Sequence, residues 1–275
     1  MSSTPLPIAE DMLEWFLRGF TARDLTEPLL SVDETSPIAA AQSVISTSGA
    51  HVVGVRRHGL IAGWFSEEEL ATVNERRCCH PFAEATVVSE NSPLSDVVCL
   101  LHAQPRLFVR AFGQISGVIP RAAIEKPPLR MWLFGLITIS EQRVTGLIDE
   151  FFPSDSWQEQ LSSGRLAKAR ELQALRRARG QRPTLLDCLQ FADKGQIVAR
   201  NESLRIRTRF DSRREVERFV QALQDLRNNL AHAQDIAGNW DIINELANNV
   251  HRIVCGADSG LTNDRSPEAT SELPP

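Results

Sequence analysis

Residues 32–38 read VDETSPI, and residues 88–94 repeat them as VSENSPL, with Val, Glu, Ser and Pro in the same register. After a slip of two residues the match resumes, because Gly59-Leu-Ile-Ala-Gly63 corresponds to Gly113-Gln-Ile-Ser-Gly117. A match that recurs at a nearly constant offset favours two tandem copies of one structural unit. The first half of the chain is therefore predicted to contain two related units.

Both copies have the same predicted order of elements. A short β-rich run precedes the glycine-bounded stretch, at residues 51–55 in the first copy and 107–112 in the second. Ser36-Pro37 and Ser92-Pro93 lie where a helix begins, because Pro at the first helical position loses no hydrogen bond that the helix needs. Each copy is predicted to form a strand, a turn, a helix, two strands and a second helix.

This arrangement resembles a tandem pair of CBS domains, the cystathionine-β-synthase type modules that pack as a pseudo-dimer. The resemblance covers residues 21–127, with copies at about residues 21–75 and 81–126. It implies a cleft between the modules that binds an adenine nucleotide as a regulatory ligand. The alternative is a degenerate pair that serves only for dimerisation or protein contact.

The resemblance also implies which residues would hold such a ligand. In that family the second inner strand leads into Gly, two residues, Thr or Ser, two residues, and an Asp that holds the ribose hydroxyls. The first copy reads GWFSEEE from Gly63, so Ser66 and Glu69 take the hydroxyl and acidic positions, with Glu one methylene longer than Asp. The second copy reads GVIPRAA from Gly117 and lacks both polar groups. The resemblance therefore implies one adenosine-type site, in the first copy.

The second half of the chain has apolar residues at helical spacing and is predicted to be all helical. A long helix begins just after Pro127-Pro128 and ends at Pro153. A more polar helix follows over residues 157–179. Thr184, with Asp187 three residues later, opens a shorter helix that Gly195 stops, and Ser212 with Glu215 opens another. The predicted last helix covers residues 240–255, and Gly256 ends it.

The sequence RNNLAH, residues 227–232, places a fixed cation, two amides and an imidazole near the end of the helix that Ser212 opens. At about 100° per residue, Asn228 and His232 fall on the same side of the helix, whereas Arg227 and His232 are roughly 140° apart. Such a pair acts together most easily in a groove shared by two copies of the chain. The alternative is that Arg227 is a solvated charge and His232 a surface residue near a helix end.

These residues resemble the HEPN family, whose members carry an Arg, a polar residue that is often Asn, a few spacers and a His in a late helix. The resemblance covers residues 128–256 and implies a homodimer that cleaves RNA without a metal, through attack of the ribose 2′-oxygen on the neighbouring phosphate. Carried over to this chain, it implies that Arg227 holds the phosphate, His232 acts as general acid or base, and Asn228 orients the backbone or the ring. Arginine and histidine suit these roles because one stays charged and the other titrates near neutral pH.

Charge gives modest support to an RNA partner. The chain of 275 residues has a formal net charge of −5, which excludes a bulk nucleic-acid binder by composition. Locally, residues 165–182 contain seven Lys and Arg residues against the single acid Glu171. Arg205, Arg207 and Arg209 alternate with apolar residues, a pattern that predicts an extended segment with one basic edge. A solvated helix face and a charged loop are the alternative interpretation of these stretches.

The remaining features set the broad class. The sequence has no apolar run near 18 residues and no secretory signal, so we expect no membrane span and a cytoplasmic protein. The five cysteines have no paired metal-ligand spacing, so no metal or required cofactor is expected. An amphipathic helix over residues 8–20 is expected to pack on the CBS-like pair, and residues 257–275 form a disordered tail. We expect a ligand-regulated, RNA-directed homodimer that cleaves RNA; the alternative is a non-catalytic regulatory or scaffold protein whose helical domain binds a partner or RNA.

Overall fold

The computed structural model of the chain describes residues 16–72, 79–83 and 86–255. It combines an N-terminal β/α region with a C-terminal helical region, which is the mixed α+β class that the sequence predicts. The N-terminal region contains β1 (Glu27–Pro28), β2 (Ser31–Asp33), α1 (Ile38–Ser48), β3 (Val52–Arg57), β4 (Leu60–Ser66), α2 (Glu67–Thr72), β5 (Val87–Ser89), α3 (Leu94–Ala103), β6 (Arg106–Ala111), β7 (Gln114–Pro120) and the 3-10 turn Arg121–Glu125.

The sequence repeat is also a repeat of strand pairing. In the first unit β2 lies parallel to β3 with Val32 opposite Val55, and in the second unit β5 lies parallel to β6 with Val88 opposite Val109. Each inner strand then pairs antiparallel with the next strand, and each register shifts by a bulge directly after Val55 or Val109. The order strand, helix, strand, strand is therefore observed in both units, although the second unit closes with a 3-10 turn where a helix was predicted.

Both β-hairpins use the same two-residue turn. His58 and Gly59 have φ of 51° and 81°, and Phe112 and Gly113 have φ of 49° and 80°. Positive φ at both central residues defines a type I′ turn, whose twist matches that of paired strands. Gly takes this conformation without steric cost, which explains why the glycine recurs in the repeat.

The segment that precedes each unit pairs with a strand of the other unit. β1, which precedes the first unit, pairs with β7 of the second, and His80, which precedes the second unit, forms a bridge with Trp64 in β4 of the first. Glycine makes both crossings feasible. A Cβ on Gly117 would lie 2.2 Å from Cγ2 of Thr26, and one on Gly63 would lie 2.4 Å from Sγ of Cys79. The two units are thus interlocked by these two crossings.

The helical region follows the N-terminal region without a linker, because Lys126 is the N-cap of its first helix. Its helices are α4 (Pro127–Phe151), α5 (Ser163–Ala178), α6 (Phe191–Arg200), α7 (Glu202–Arg207), α8 (Arg213–Ala231) and α9 (Trp240–Cys255). The long helix has its predicted bounds, with both prolines in the first turn, where no backbone hydrogen bond is lost.

The second helix of this region begins later than predicted. Residues 153–160 form 3-10 turns, in which Ser154 and Asp155 have left-handed φ of 52° and 58°. The α-helix begins only at Ser163. Leu161 has extended backbone angles, with φ of −115° and ψ of 154°, so no continuous α-helix can run from Trp157 into α5. The Trp157 side chain is fully buried in the core.

Two other local predictions are wrong. Gly195 does not stop a helix but lies inside α6, where a Cβ would come within 2.7 Å of a Val220 methyl group, so the glycine permits close packing on α8. Residues 205 and 207 lie in helix α7 and not in an extended segment, and Arg209 has φ of 58°. The Asn201 side chain accepts a hydrogen bond from Leu204 N at 3.1 Å, and this N-cap favours the helix.

One apolar core extends across the predicted domain boundary at residue 127. It joins α3 and β6 of the second unit to α4, α6, α8 and α9. The first unit has a smaller core of its own, formed by Ala41, Ile45, Val53 and Leu70. A third apolar layer between the two sheets contains Leu29, Val52, Phe108 and Val118. The second unit is therefore built into the helical region, whereas the first unit lies outside this shared core.

Only part of the predicted N-terminal helix lies in the described residues. Residues 16–19 are helical, and Leu17 is buried in the shared core. The Phe16 ring lies over Gly135 of α4, so this segment also contacts the helical region. Residues 8–15, Gly256 and the predicted tail 257–275 lie outside the described residues. None of the described helices is long and apolar enough to span a membrane.

Candidate functional site

The first unit contains an open cleft of about 460 Å³, a size that suits a small-molecule ligand. It lies where β2 ends and α1 begins, beside β3 and β4. Its floor is apolar, and its rim carries two carboxylates, two hydroxyls and one guanidinium. The lining residues are Val32, Asp33, Glu34, Thr35, Ser36, Pro37, Ile38, Ala41, Val55, Arg57, Phe65 and Cys79.

The charges at the rim are already paired across the strands. Arg57 donates to both carboxylate oxygens of Glu34, at 3.0 and 2.6 Å. Arg56 donates to Asp33 at 2.9 Å. Each guanidinium is therefore neutralised locally. A ligand at the rim can therefore bind to carboxylate and hydroxyl oxygens, whereas neither guanidinium group presents an uncompensated positive charge.

Ser66 and Glu69, the predicted ribose contacts, form a capping box at the start of α2 and are not among the cleft-lining residues. Glu69 Oε2 accepts from Ser66 N at 3.0 Å and from Ser66 Oγ at 3.1 Å, and Glu69 N donates to Ser66 Oγ at 3.3 Å. A capping box satisfies helix-end donors that have no other partner. This local role accounts for the Ser-Glu spacing without a ligand.

His80 completes the cluster around Glu69. Its Nε2 bonds to Glu69 Oε1, and its ring lies 5.0 Å from the Trp64 ring. The hydrogen bond from His80 and the backbone hydrogen bond from Ser66 lower the pKa of Glu69 below its usual value of 4.5. The carboxylate is thus held ionised, and it ties the segment that leads into the second unit to the first unit.

The corresponding turn of the second unit is covered by the chain itself. Ala22 N donates to Ser92 O at 2.8 Å, Arg23 N donates to Glu90 O at 3.0 Å, and Leu94 N donates to Phe20 O at 3.2 Å. Pro120 and Ala123 stand where the first unit has Ser66 and Glu69, as the sequence indicated. The repeat therefore presents one open turn and one covered turn.

In the helical region, Arg227 belongs to a charge network on the core side of α8. Its Nη1 lies 3.7 Å from Glu141 Oε2 of α4, and the other oxygen of Glu141 lies 3.1 Å from Lys194 Nζ of α6. The Lys194 side chain is only 6% exposed, so its charge requires this carboxylate. Nothing in the sequence pointed to either Glu141 or Lys194, because neither residue has a distinguishing spacing from Arg227 along the chain.

The structure does not bring Arg227 and His232 together within one chain. His232 is the exposed C-cap of α8, and Asn228 is exposed one turn before it. Among the described residues, no hydrogen bond or ion pair involves the His232 ring. Arg227 flanks the buried face while His232 lies on the solvent side, as their 140° separation requires.

The basic stretch at residues 165–182 is divided between structural and solvent-facing side chains. Arg165 pairs with the buried Asp193, and Arg176 donates to Asp187 O at 3.2 Å. Four cations remain with no side-chain partner within the part of the chain that the structure describes: Lys168, Arg177, Arg179 and Arg182. Arg177 and Arg179 lie at the C-terminal end of α5, where the helix dipole stabilises positive charge, whereas Lys168 lies in its N-terminal half and Arg182 follows the helix.

No family model matches the sequence, and no curated protein matches it. Among solved structures, the chain is similar to Staphylococcus aureus OpuCA with 14% identity and a TM-score of 0.32, covering 36% of this chain and 91% of that chain. It is similar to protein MJ1004 from Methanocaldococcus jannaschii with 14% identity and a TM-score of 0.35, covering 83% of this chain and 98% of that chain. At these TM-scores neither protein defines the fold or the function of this chain.

Proposed function

We propose that the chain is a ligand-responsive regulatory protein. The first β-α-β-β-α unit binds an adenosine-type ligand in its cleft, and the helical region carries the response. The observation that carries this proposal is the asymmetry of the repeat: the first unit keeps a cleft of about 460 Å³, while residues 20–23 cover the matching turn of the second. The resemblance to a tandem CBS pair supports an adenosine-type ligand, although it implies a cleft between the two units, whereas this cleft is lined by residues of the first unit and by Cys79.

The cleft chemistry favours a nucleoside over a nucleoside triphosphate. Val32, Val55 and Phe65 offer an apolar surface to a base, while Ser36 Oγ and the Asp33 oxygen that Arg56 does not bind can accept from ribose hydroxyls. A triphosphate needs uncompensated cations, yet the guanidinium of Arg57 is already bound by Glu34. Adenosine and S-adenosylmethionine are therefore expected to bind more tightly than ATP. Direct contact of Ser66 and Glu69 with the ribose stays a prediction, since both side chains already cap α2.

Calorimetry with adenosine, S-adenosylmethionine, AMP, ADP and ATP tests this assignment. Ser36→Trp places a large side chain in the cleft and should abolish binding, while the matched change Ser92→Trp in the second unit should leave it intact. Absence of heat with all five compounds would reject the adenosine assignment. Equal loss in both variants would mean that the binding site lies elsewhere.

The helical region has a second candidate function, RNA cleavage in a groove between two copies. Arg227 is 40% exposed and its contact with Glu141 is long, at 3.7 Å, so the guanidinium can contact a phosphate as well. His232 is exposed and would have to come from the partner copy, because the two side chains face apart within one chain. The unpartnered cations around α5 would then contribute to backbone binding.

Incubation of mixed RNA with the purified protein distinguishes the two functions. A nuclease would leave cyclic phosphate ends, and His232→Ala would remove this activity while His58→Asn, an exposed control, would not. Identical ends from wild type and His232→Ala would exclude catalysis by His232. The non-catalytic regulatory function would then account for the chain.

A further inference from the structure

The C-terminal cap of α8 has a residue that is unusual at its position. Gln234 N donates to Asn229 O at 2.8 Å and Ala233 N donates to Leu230 O at 3.4 Å, which is the hydrogen-bond pattern of a Schellman motif. Ala233 has φ of 52°, a left-handed conformation that normally requires glycine. Such a residue persists only where surrounding contacts hold it. His232, the preceding residue, depends on this cap for its position.

Arg130 of α4 supplies those contacts. Its Nη2 donates to Asn229 O at 3.1 Å and to Leu230 O at 3.4 Å, and its Nη1 donates to Gln234 O at 3.0 Å. One guanidinium thus binds three carbonyl groups of the cap. The Arg130 side chain is 15% exposed, so these charge-assisted bonds are shielded from water.

Glu125 connects Arg130 to the loop that follows. One of its carboxylate oxygens accepts from Arg130 Nη1 at 2.7 Å, and the other accepts from Ile236 N at 2.7 Å. The Ile236 side chain is fully buried. Because Glu125 closes the 3-10 turn that ends the second β/α unit, this carboxylate joins that unit to the loop between α8 and α9.

Lys126, the next residue, binds in the opposite direction. Its Nζ donates to Leu25 O at 2.6 Å and lies 2.9 Å from Glu27 Oε1. Leu25 and Glu27 belong to the segment that leads into the first unit and pairs with β7 of the second. Glu125 and Lys126 are adjacent in sequence. Glu125 therefore binds the end of α8 through Arg130, and Lys126 binds the leading segment of the repeat pair.

We propose that Glu125, Lys126 and Arg130 form a joint through which the leading segment of the repeat pair controls the stability of the α8 cap. This inference rests on the proposed function in one respect: ligand binding in the first unit would need a route to the helical region. When the leading segment moves, its contacts with Lys126 reorient the first turn of α4. The hydrogen bonds from Arg130 to the three carbonyl groups then change in length and angle. Arg130 and Glu125 are positioning residues, and they act on the segment that carries His232.

Amide hydrogen exchange in the ligand-free, full-length protein tests the joint. Lys126→Met removes the contacts to Leu25 and Glu27 and should accelerate exchange of the Gln234 and Ile236 amides roughly threefold, as expected for neighbouring coupled groups. In an Arg130→Ala background the same change should have no further effect at Gln234, which is reached through Arg130, whereas Glu125 still bonds directly to Ile236 N. Arg207→Met, which removes a more exposed ion pair with Glu150 elsewhere in the helical region, should not affect either amide.

A rescue variant separates coupling from simple support. Arg130→Ala alone should accelerate exchange at Gln234 roughly tenfold, because hydrogen bonds from a charged donor are lost. Adding Ala233→Gly should restore protection, since glycine takes positive φ freely, but should not restore sensitivity to Lys126→Met. If Lys126→Met leaves both amides unchanged in the wild-type background, or accelerates exchange at Gln234 equally without Arg130, the joint does not exist. No ligand is present, so this result is independent of the proposed binding function.

Discussion

The two repeat units share strand order, bulges and hairpin turns, yet they pack against different parts of the molecule. The second unit buries Val97, Val98 and Leu101 of α3 against the helical region. The first unit has a small core of its own and leaves the turn between β2 and α1 open beside the cleft. The difference indicates that the repeat provides two units with the same strand order, and that the packing partner of each unit determines whether its turn between strand and helix is open or covered.

The largest expected effect comes from shortening one buried side chain in each of the two equivalent helices, α3 and α1. Leu101→Ala in α3 removes a fully buried side chain from the shared core and should cost about 4 kcal/mol of unfolding free energy. Ile45→Ala in α1, where the side chain is 8% exposed, should cost about 2 kcal/mol. Urea unfolding measures both values. Equal losses would contradict the idea that only the second unit belongs to the core of the helical region.

The interlocked crossings give an intermediate effect. Gly117→Ala would place a methyl group 2.2 Å from Cγ2 of Thr26 and should cost about 2 kcal/mol by displacing the leading segment. Thr26→Ser removes that Cγ2, so the double variant should recover more than half of the lost unfolding free energy. Thermal unfolding measures this recovery. If the two changes are simply additive, the close approach at Gly117 is not the cause.

The smallest effect is a pH dependence confined to the first unit. Glu69 has a lowered pKa, because His80 and the Ser66 backbone bond its ionised form. Its contribution to stability is therefore fully present above its ordinary value of 4.5 and is lost as the pH falls through the lowered pKa in the folded protein. Glu69→Gln should reduce this acid sensitivity, whereas Glu90→Gln in the second unit should not. Acid titration monitored by tryptophan fluorescence measures the difference.

Local sequence signals predicted much of the fold, because they depend on neighbours along the chain. Pro127 and Pro153 delimit the long helix, and Thr184 and Asp187 form their predicted capping box, with bonds of 2.8 and 3.1 Å. That box closes only a 3-10 turn, Leu186–Cys188, before α6 begins. A capping pattern determines where a helical turn starts, whereas tertiary packing determines how long the helix becomes.

The candidate sites were less predictable from the sequence. The Ser66-Glu69 spacing fits both a ligand contact and a capping box, and only the position of the cleft separates the two roles. The Arg227 spacing gave no sign of Glu141, which lies far away in sequence. Arg130 had no motif at all, since its partners are backbone carbonyl groups that any residue supplies.

By itself, the sequence determined the duplication, the division into a β/α and a helical half, and the starts of α1, α3, α4, α8 and α9. These follow from backbone sterics and periodic burial, which act over a few residues. Only the tertiary structure decided that one unit is open and the other covered, that Gly195 admits Val220, and that Arg227 faces Glu141 while His232 faces solvent. Those outcomes depend on contacts between side chains distant along the chain, whose geometry exists only after the core has formed.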